Sequence, residues 1–211
     1  MQKIRLNCKI KFSFFVLLIT FSLFITACTT AKSVTSIDSI GKNDVLIVGK
    51  IILEPSLSKD ELKTPYSLPM YTVYGKSGNI NIYFQDTLTS LTKLEVGMKE
   101  SINSISTEFD KTFFIKIKRK PIYLYYGYII MGYDSDITDS YIFHYLPAGW
   151  KLNISDQDKA IYIGTIKYTR DEFFRIKKIE VIDEYDTIAK EYEAKFGTKL
   201  PLKKSLLLPI E

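Results

Sequence analysis

In 211 residues the chain carries 29 Lys and Arg against 24 Asp and Glu, yet four of the cations, Lys3, Arg5, Lys9 and Lys11, precede Cys28. Beyond them 25 cations and 24 acids nearly cancel, so the basic excess belongs to the N-terminal end and gives no support to nucleic-acid binding. Cys8 and Cys28 are the only thiols and His144 the only imidazole; the chain beyond residue 28 therefore has no disulfide, no cysteine-ligated metal and no histidine-rich metal site.

The first element is the leader. After the four cations, residues 12–24 are apolar except for Ser13, Thr20 and Ser22. At about 1.5 Å per residue such a run is too short to cross a hydrocarbon core of about 30 Å comfortably. It ends in Ile25-Thr26-Ala27-Cys28. The whole stretch resembles the signal peptide and lipobox of bacterial lipoproteins. That resemblance implies a helical signal peptide over 1–27, cleavage between Ala27 and Cys28, and lipidation of Cys28 at its sulfur, leaving it the acylated, palmitate-bearing first residue. The acylated Cys28 would hold the mature protein to membrane lipid on the outer face of a bacterial membrane. Thr29, in the place where Asp marks inner-membrane retention in that family, implies the outer membrane in a two-membrane organism. Two or more acyl chains, at about 0.8 kcal/mol per buried methylene, anchor a protein stably.

Residues 28–43, rich in Ser, Thr and Lys, read as a flexible tether to a single domain at 44–211. Within it, residues 45–53 are apolar on both faces except Lys50, the pattern of a central strand. Pro55, Pro65 and Pro69 mark 54–69 as a loop. Residues 71–74 and 79–84 flank Gly75-Lys76-Ser77-Gly78, a hairpin signal. Residues 87–110 mix helix-like spacing (Ile102, Ile105, Phe109) with dense Ser and Asn, and stay unassigned. Strands follow around Phe113, Ile115 and Ile117 and at 122–131. A polar turn at 134–140 leads to a strand at 141–146, and a Pro147-Ala148-Gly149 turn to a strand at 150–154. The last pair is 160–168 and 173–182, with a bulge near Lys177-Lys178 where the apolar parity switches. The period then becomes helical over about 184–196, with Tyr185, Ile188, Ala189, Tyr192 and Phe196 on one face, Asp183 at the start and Gly197 at the end.

This alternation predicts a mainly β fold, an antiparallel β-sandwich with a C-terminal helix packed on it. The run Tyr145-Leu146-Pro147-Ala148-Gly149-Trp150-Lys151-Leu152 resembles a strand turn of prealbumin-like sandwich domains of bacterial lipoproteins; the resemblance implies fold and no catalytic group.

No set of residues predicts catalysis. His144 alternates in a strand and lacks a Gly-x-Ser-x-Gly elbow, so a packed or surface imidazole is expected. Gly75-Lys76-Ser77 lacks the first glycine of a phosphate loop and leads into a strand. Asp134, Asp136 and Asp139, and Asn153, Asp156 and Asp158, read as solvated turns, and no metal or cofactor is expected. Tyr123, Tyr125, Tyr126, Tyr128 and Tyr133 are the densest aromatic cluster. In an uninterrupted strand Tyr123 and Tyr125 share one face while Tyr126 and Tyr128 share the other, so one pair can form an exposed strip. With Trp150 these are the candidate contacts for an envelope protein or a glycan, the former expected in a non-enzymatic binding or structural role. A carboxylate-based hydrolase is the remaining alternative.

Overall fold

The computed structural model describes residues 33–59, 61–62, 78–88, 103–135 and 138–210. The expected signal peptide, with Ala27 and Cys28, lies outside them, as do Tyr71 to Ser77, Asp136 and the side chains of Tyr133, Asp134 and Asp139. Among the described residues ten strands and one α-helix make two stacked sheets with the helix on the back of one, as the sequence predicts.

In the first sheet β1 (Asp44–Glu54) lies between β4 (Thr112–Lys118), antiparallel, and β7 (Ala160–Arg170), parallel. The other side of β7 is shared by β8 (Ile176–Ile182), antiparallel, and the short β9 (Lys203–Lys204), parallel. The second sheet is antiparallel throughout, in the order β10 (Leu208–Pro209), β6 (Thr138–Leu152), β5 (Ile122–Ser135), β2 (Asn79–Gln85) and β3 (Asn103–Glu108).

Strand β1 explains its own centrality. Val45, Ile47, Ile51 and Leu53 face the second sheet and join the main core with Ile82, Leu124 and Leu146. Leu46 and Val48 face the opposite way, toward the helix α1 (Tyr185–Phe196) and its Ile188 and Tyr192. Burying each such side chain contributes about 1.5–3 kcal/mol, so a strand apolar on both faces is most stable between two layers. The helix follows its pattern closely. Asp183 accepts a hydrogen bond from the Tyr185 N–H at 3.0 Å, and Gly197, at φ 72°, donates its own N–H to the Glu193 carbonyl.

Four expectations need correction. First, the N-terminal segment is docked well before residue 44: Val34 is buried against the helix-side core, its N–H bonds the Phe114 carbonyl at 2.7 Å, and Ser33 bridges to Ile115. Scattered apolar residues, Val34, Ile37 and Ile40, suffice because the outer face of the first sheet offers them a site. Second, β2 pairs with β3 on one edge and β5 on the other, while the expected hairpin arm at 71–74 lies outside the described residues. The unassigned stretch supplies β3, whose Ile105 is buried inward.

Third, Pro147-Ala148-Gly149 is not a turn. It lies within the single strand β6, where Ala148 and Gly149 together stand opposite Tyr125 as a bulge. The ladder beyond the bulge is lost only locally, and the strand continues. Fourth, β5 has a matching irregularity, Tyr125 being extra relative to β2 between the pairs Tyr83↔Tyr126 and Phe84↔Leu124. The expected bulge near Lys177 is present, since Thr169 pairs with Lys178 while Arg170 pairs with Ile176.

Candidate functional site: an outward tyrosine row

The bulge at Tyr125 rearranges the tyrosines. Ile122 and Leu124 point into the core before it and Ile129 does so after it, so the inward parity changes from even to odd. Tyr123, Tyr126 and Tyr128 are therefore all on the outward side of the second sheet. The two-and-two split fails because it assumed an unbroken pleat. Tyr125 itself is buried at the irregularity, and its hydroxyl donates to the Thr87 carbonyl.

Cross-strand pairing then brings in two residues that chain order did not mark. Tyr83 of β2 stands opposite Tyr126, and Tyr145 of β6 opposite Tyr128. Ring centroids are 5.1 Å apart for Tyr83 and Tyr126, 5.6 Å for Tyr83 and Tyr128, and 6.4 Å for Tyr126 and Tyr145. The interplanar angles of 55°, 35° and 60° are those of rings packed against one another, an arrangement worth about 0.5–1.5 kcal/mol per pair beyond burial. Burial raises the Tyr126 hydroxyl above its usual value, with Tyr83 and Tyr145 adding to the effect. Tyr145 closes the row and is 72% exposed.

Asn81 shares this outward side, opposite Tyr128 on β5 and Ser106 on β3. It is buried, and its Nδ2 has no hydrogen-bond partner. The register thus places tyrosines, an amide and a serine together, with no ionic side chain among these six residues.

Trp150 goes elsewhere. Opposite Leu124, it packs on the main core and forms one wall of a groove of about 430 Å³ with Ala148, Ile176, Ile179 and Pro209. His144, opposite Ile129, also turns inward; its ring lies 4.2 Å from Phe174. Burial lowers its basicity, with Glu61 opposing and Arg170 adding to that shift. Arg170 is nearly enclosed. Its Nε donates to the Pro55 carbonyl, Nη2 to the Ser56 carbonyl, and both Nη atoms to the Glu61 carboxylate, while the guanidinium lies 4.8 Å from the Phe174 ring centroid. This cluster ties the loop after β1 to the end of β7.

Among the described residues no group of three or more His, Cys, Asp or Glu is placed to hold a metal. Asp158 is occupied internally: it accepts from Lys203 Nζ and the Ser155 N–H, both at 2.8 Å. Burial pushes its carboxyl up, and those partners outweigh it and hold it below the ordinary range. No helix among the described residues is long and apolar enough to cross a membrane.

No protein-family model, curated protein or solved structure matches the chain, so the functional reading rests on its own residues and geometry.

Proposed function

We propose that the chain is a lipid-anchored bacterial envelope protein whose β-sandwich binds another envelope protein without catalysis, through the outward tyrosine row. The residues Ile25 to Cys28 support the address. One observation carries the binding reading: Tyr83, Tyr126, Tyr128 and Tyr145 from three adjacent strands form one aromatic row on the outward side of a sheet, in which a buried Tyr128 and half-buried Tyr83 and Tyr126 support a Tyr145 that is 72% exposed. Amphipathic rings that are already packed lose little side-chain freedom on contact, which is why tyrosines are enriched where interfaces concentrate their energy. Because the rings are tilted against each other, they suit a contoured protein surface better than the flat stacking of successive sugars.

A glycan is the second reading, for which the exposed Tyr145 ring offers a stacking face. Crosslinking in the intact envelope separates the two. Tyr145→Ala is expected to weaken capture of a protein partner about tenfold or more, the loss of roughly 1.4–2 kcal/mol typical of an interface anchor. The melting temperature should fall by no more than about 2–4 °C, because the ring is exposed and gives up only its packing on Tyr126. Unaltered capture would reject the row as the interface, and loss of binding to purified cell-wall polysaccharide would select the glycan. The anchor has its own test: Cys28→Ala should abolish fatty-acid labelling and release the protein from membranes, whereas retained labelling would exclude Cys28 as the attachment point.

A further inference from the structure

The early docking of the N-terminal segment has a geometric consequence for the anchored protein. Only Thr29, Thr30, Ala31 and Lys32 separate Cys28 from Ser33. Ser33 bridges to Ile115 on the outer edge of β4, and Val34 is buried there with its N–H on Phe114. Five residue steps reach at most about 18 Å even when fully extended. A single domain of this size is about 40 Å across, from a radius of gyration near 16 Å. The leash is thus shorter than half the body it holds.

We infer that the leash restricts the orientation of the domain: the β4 edge and the adjoining side of α1 stay in the half that faces the lipid headgroups, and the domain cannot turn this side away. The inference depends on the anchor at Cys28 proposed above. Turning the β4 edge to the top would require a leash comparable with the domain's diameter. The chemistry of this side fits an anionic headgroup surface. Lys116 donates to the Ser39 carbonyl at 3.0 Å, Lys195 holds its ammonium 4.4 Å from the Phe114 ring, and Lys42 is exposed on the same segment. Neither Lys116 nor Lys195 forms an ion pair among the described residues, although Lys116 lies near enough to Asp44 to help lower its carboxyl, and α1 also exposes Glu191 and Glu193. Asp38, also exposed, is the acid of the docked segment. Strand β8 lies at the far edge of the same sheet, three strands away from β4.

The test uses the full mature lipoprotein in phosphatidylethanolamine–phosphatidylglycerol vesicles carrying a headgroup spin label. With the Cys28 sulfur acylated, a single introduced cysteine takes a fluorophore uniquely, because the chain beyond it has no thiol. Fluorophores are placed at Asp38→Cys and, on β8, at Lys178→Cys, both exposed positions. Quenching severalfold stronger at 38 than at 178 is the expected result, and equal quenching in protein that floats with the vesicles overturns the orientation. Inserting about 20 Gly and Ser residues after Ala31, enough for a mean span of about 25 Å and a far longer reach, should bring the two positions together; a difference that persists with the long linker overturns the leash as its cause. Protein that fails to float at all refutes the anchor instead, so the two readings fail in different ways.

Discussion

Arg170→Ala is expected to cost about 3–5 kcal/mol of folding stability, the loss associated with removing one partner of a buried ion pair. The side chains of Arg170 and Glu61 are 5% and 23% exposed. Truncation leaves the Glu61 carboxylate and the Pro55 and Ser56 carbonyls without their guanidinium donors, in a site that water reaches poorly. For a domain of this length the melting temperature should fall by about 10 °C. Thermal unfolding followed by circular dichroism measures it, and a fall under 2 °C would show that the clamp contributes little.

The same pair sets an acid limit. The Arg170 hydrogen bonds, opposed by burial and helped by the Ser58 N–H and hydroxyl, hold the Glu61 carboxyl down from 4.5 to about 2. A carboxyl lowered on folding stabilises the native state fully above its unfolded value, and that contribution drains as pH falls from about 4.5 toward 2. It amounts to at most about 3 kcal/mol, less after solvent screening. Wild-type stability should therefore decline across this window more steeply than that of Arg170→Ala, which has already lost the pair. Parallel pH profiles in denaturant melts would sink the assignment.

Gly164→Ala should be comparably damaging, for a backbone reason. Gly164 has φ +102°, and a Cβ built there would sit 2.4 Å from Val181 Cγ1. Left-handed strain and forced overpacking each cost about 1–3 kcal/mol, so a loss of about 2–6 kcal/mol is expected in urea melts. The residue matters because Ile163 and Gly164 together stand opposite Gly49 between the pairs Val48↔Tyr162 and Lys50↔Thr165. That irregularity lets Ile161 and Ile163 before it, and Ile166 and Tyr168 after it, all enter the main core. Adding Val181→Ala should recover the clash and leave the strain. A double-mutant cycle with no coupling between the two sites would refute the contact.

Bulges also explain what could and could not be read along the chain. Near Lys177 the apolar parity switches visibly, because Phe174 and Ile176 precede it and Ile179 and Val181 follow it. In β5 the same event is hidden among residues that suit either face: tyrosines fill both sides of 123–128, so their order carries no mark of the parity change. In β7 the run Ile161-Tyr162-Ile163 is buried on both faces and conceals its irregularity in the same way. Strand β3 was obscured differently. Its Ser104 and Ser106 lie on the outward side beside β2, where small polar residues are as acceptable in a strand as in a loop.

What chain order determined by itself is periodic or local: the two-sided apolarity of β1, the helix from Tyr185 to Phe196 with Asp183 and Gly197 at its ends, the bulge near Lys177, and the near neutrality beyond Cys28. These follow from side-chain spacing and composition, which need no partner to be recognised. The tertiary structure decided which strands meet. Pairing set Tyr83 and Tyr145 beside Tyr126 and Tyr128, turned Trp150 and His144 inward, and drew Val34 onto the first sheet. Register and docking are long-range choices, made by whichever pairing buries the most apolar surface without orphaning backbone groups, and a one-dimensional pattern does not contain that competition.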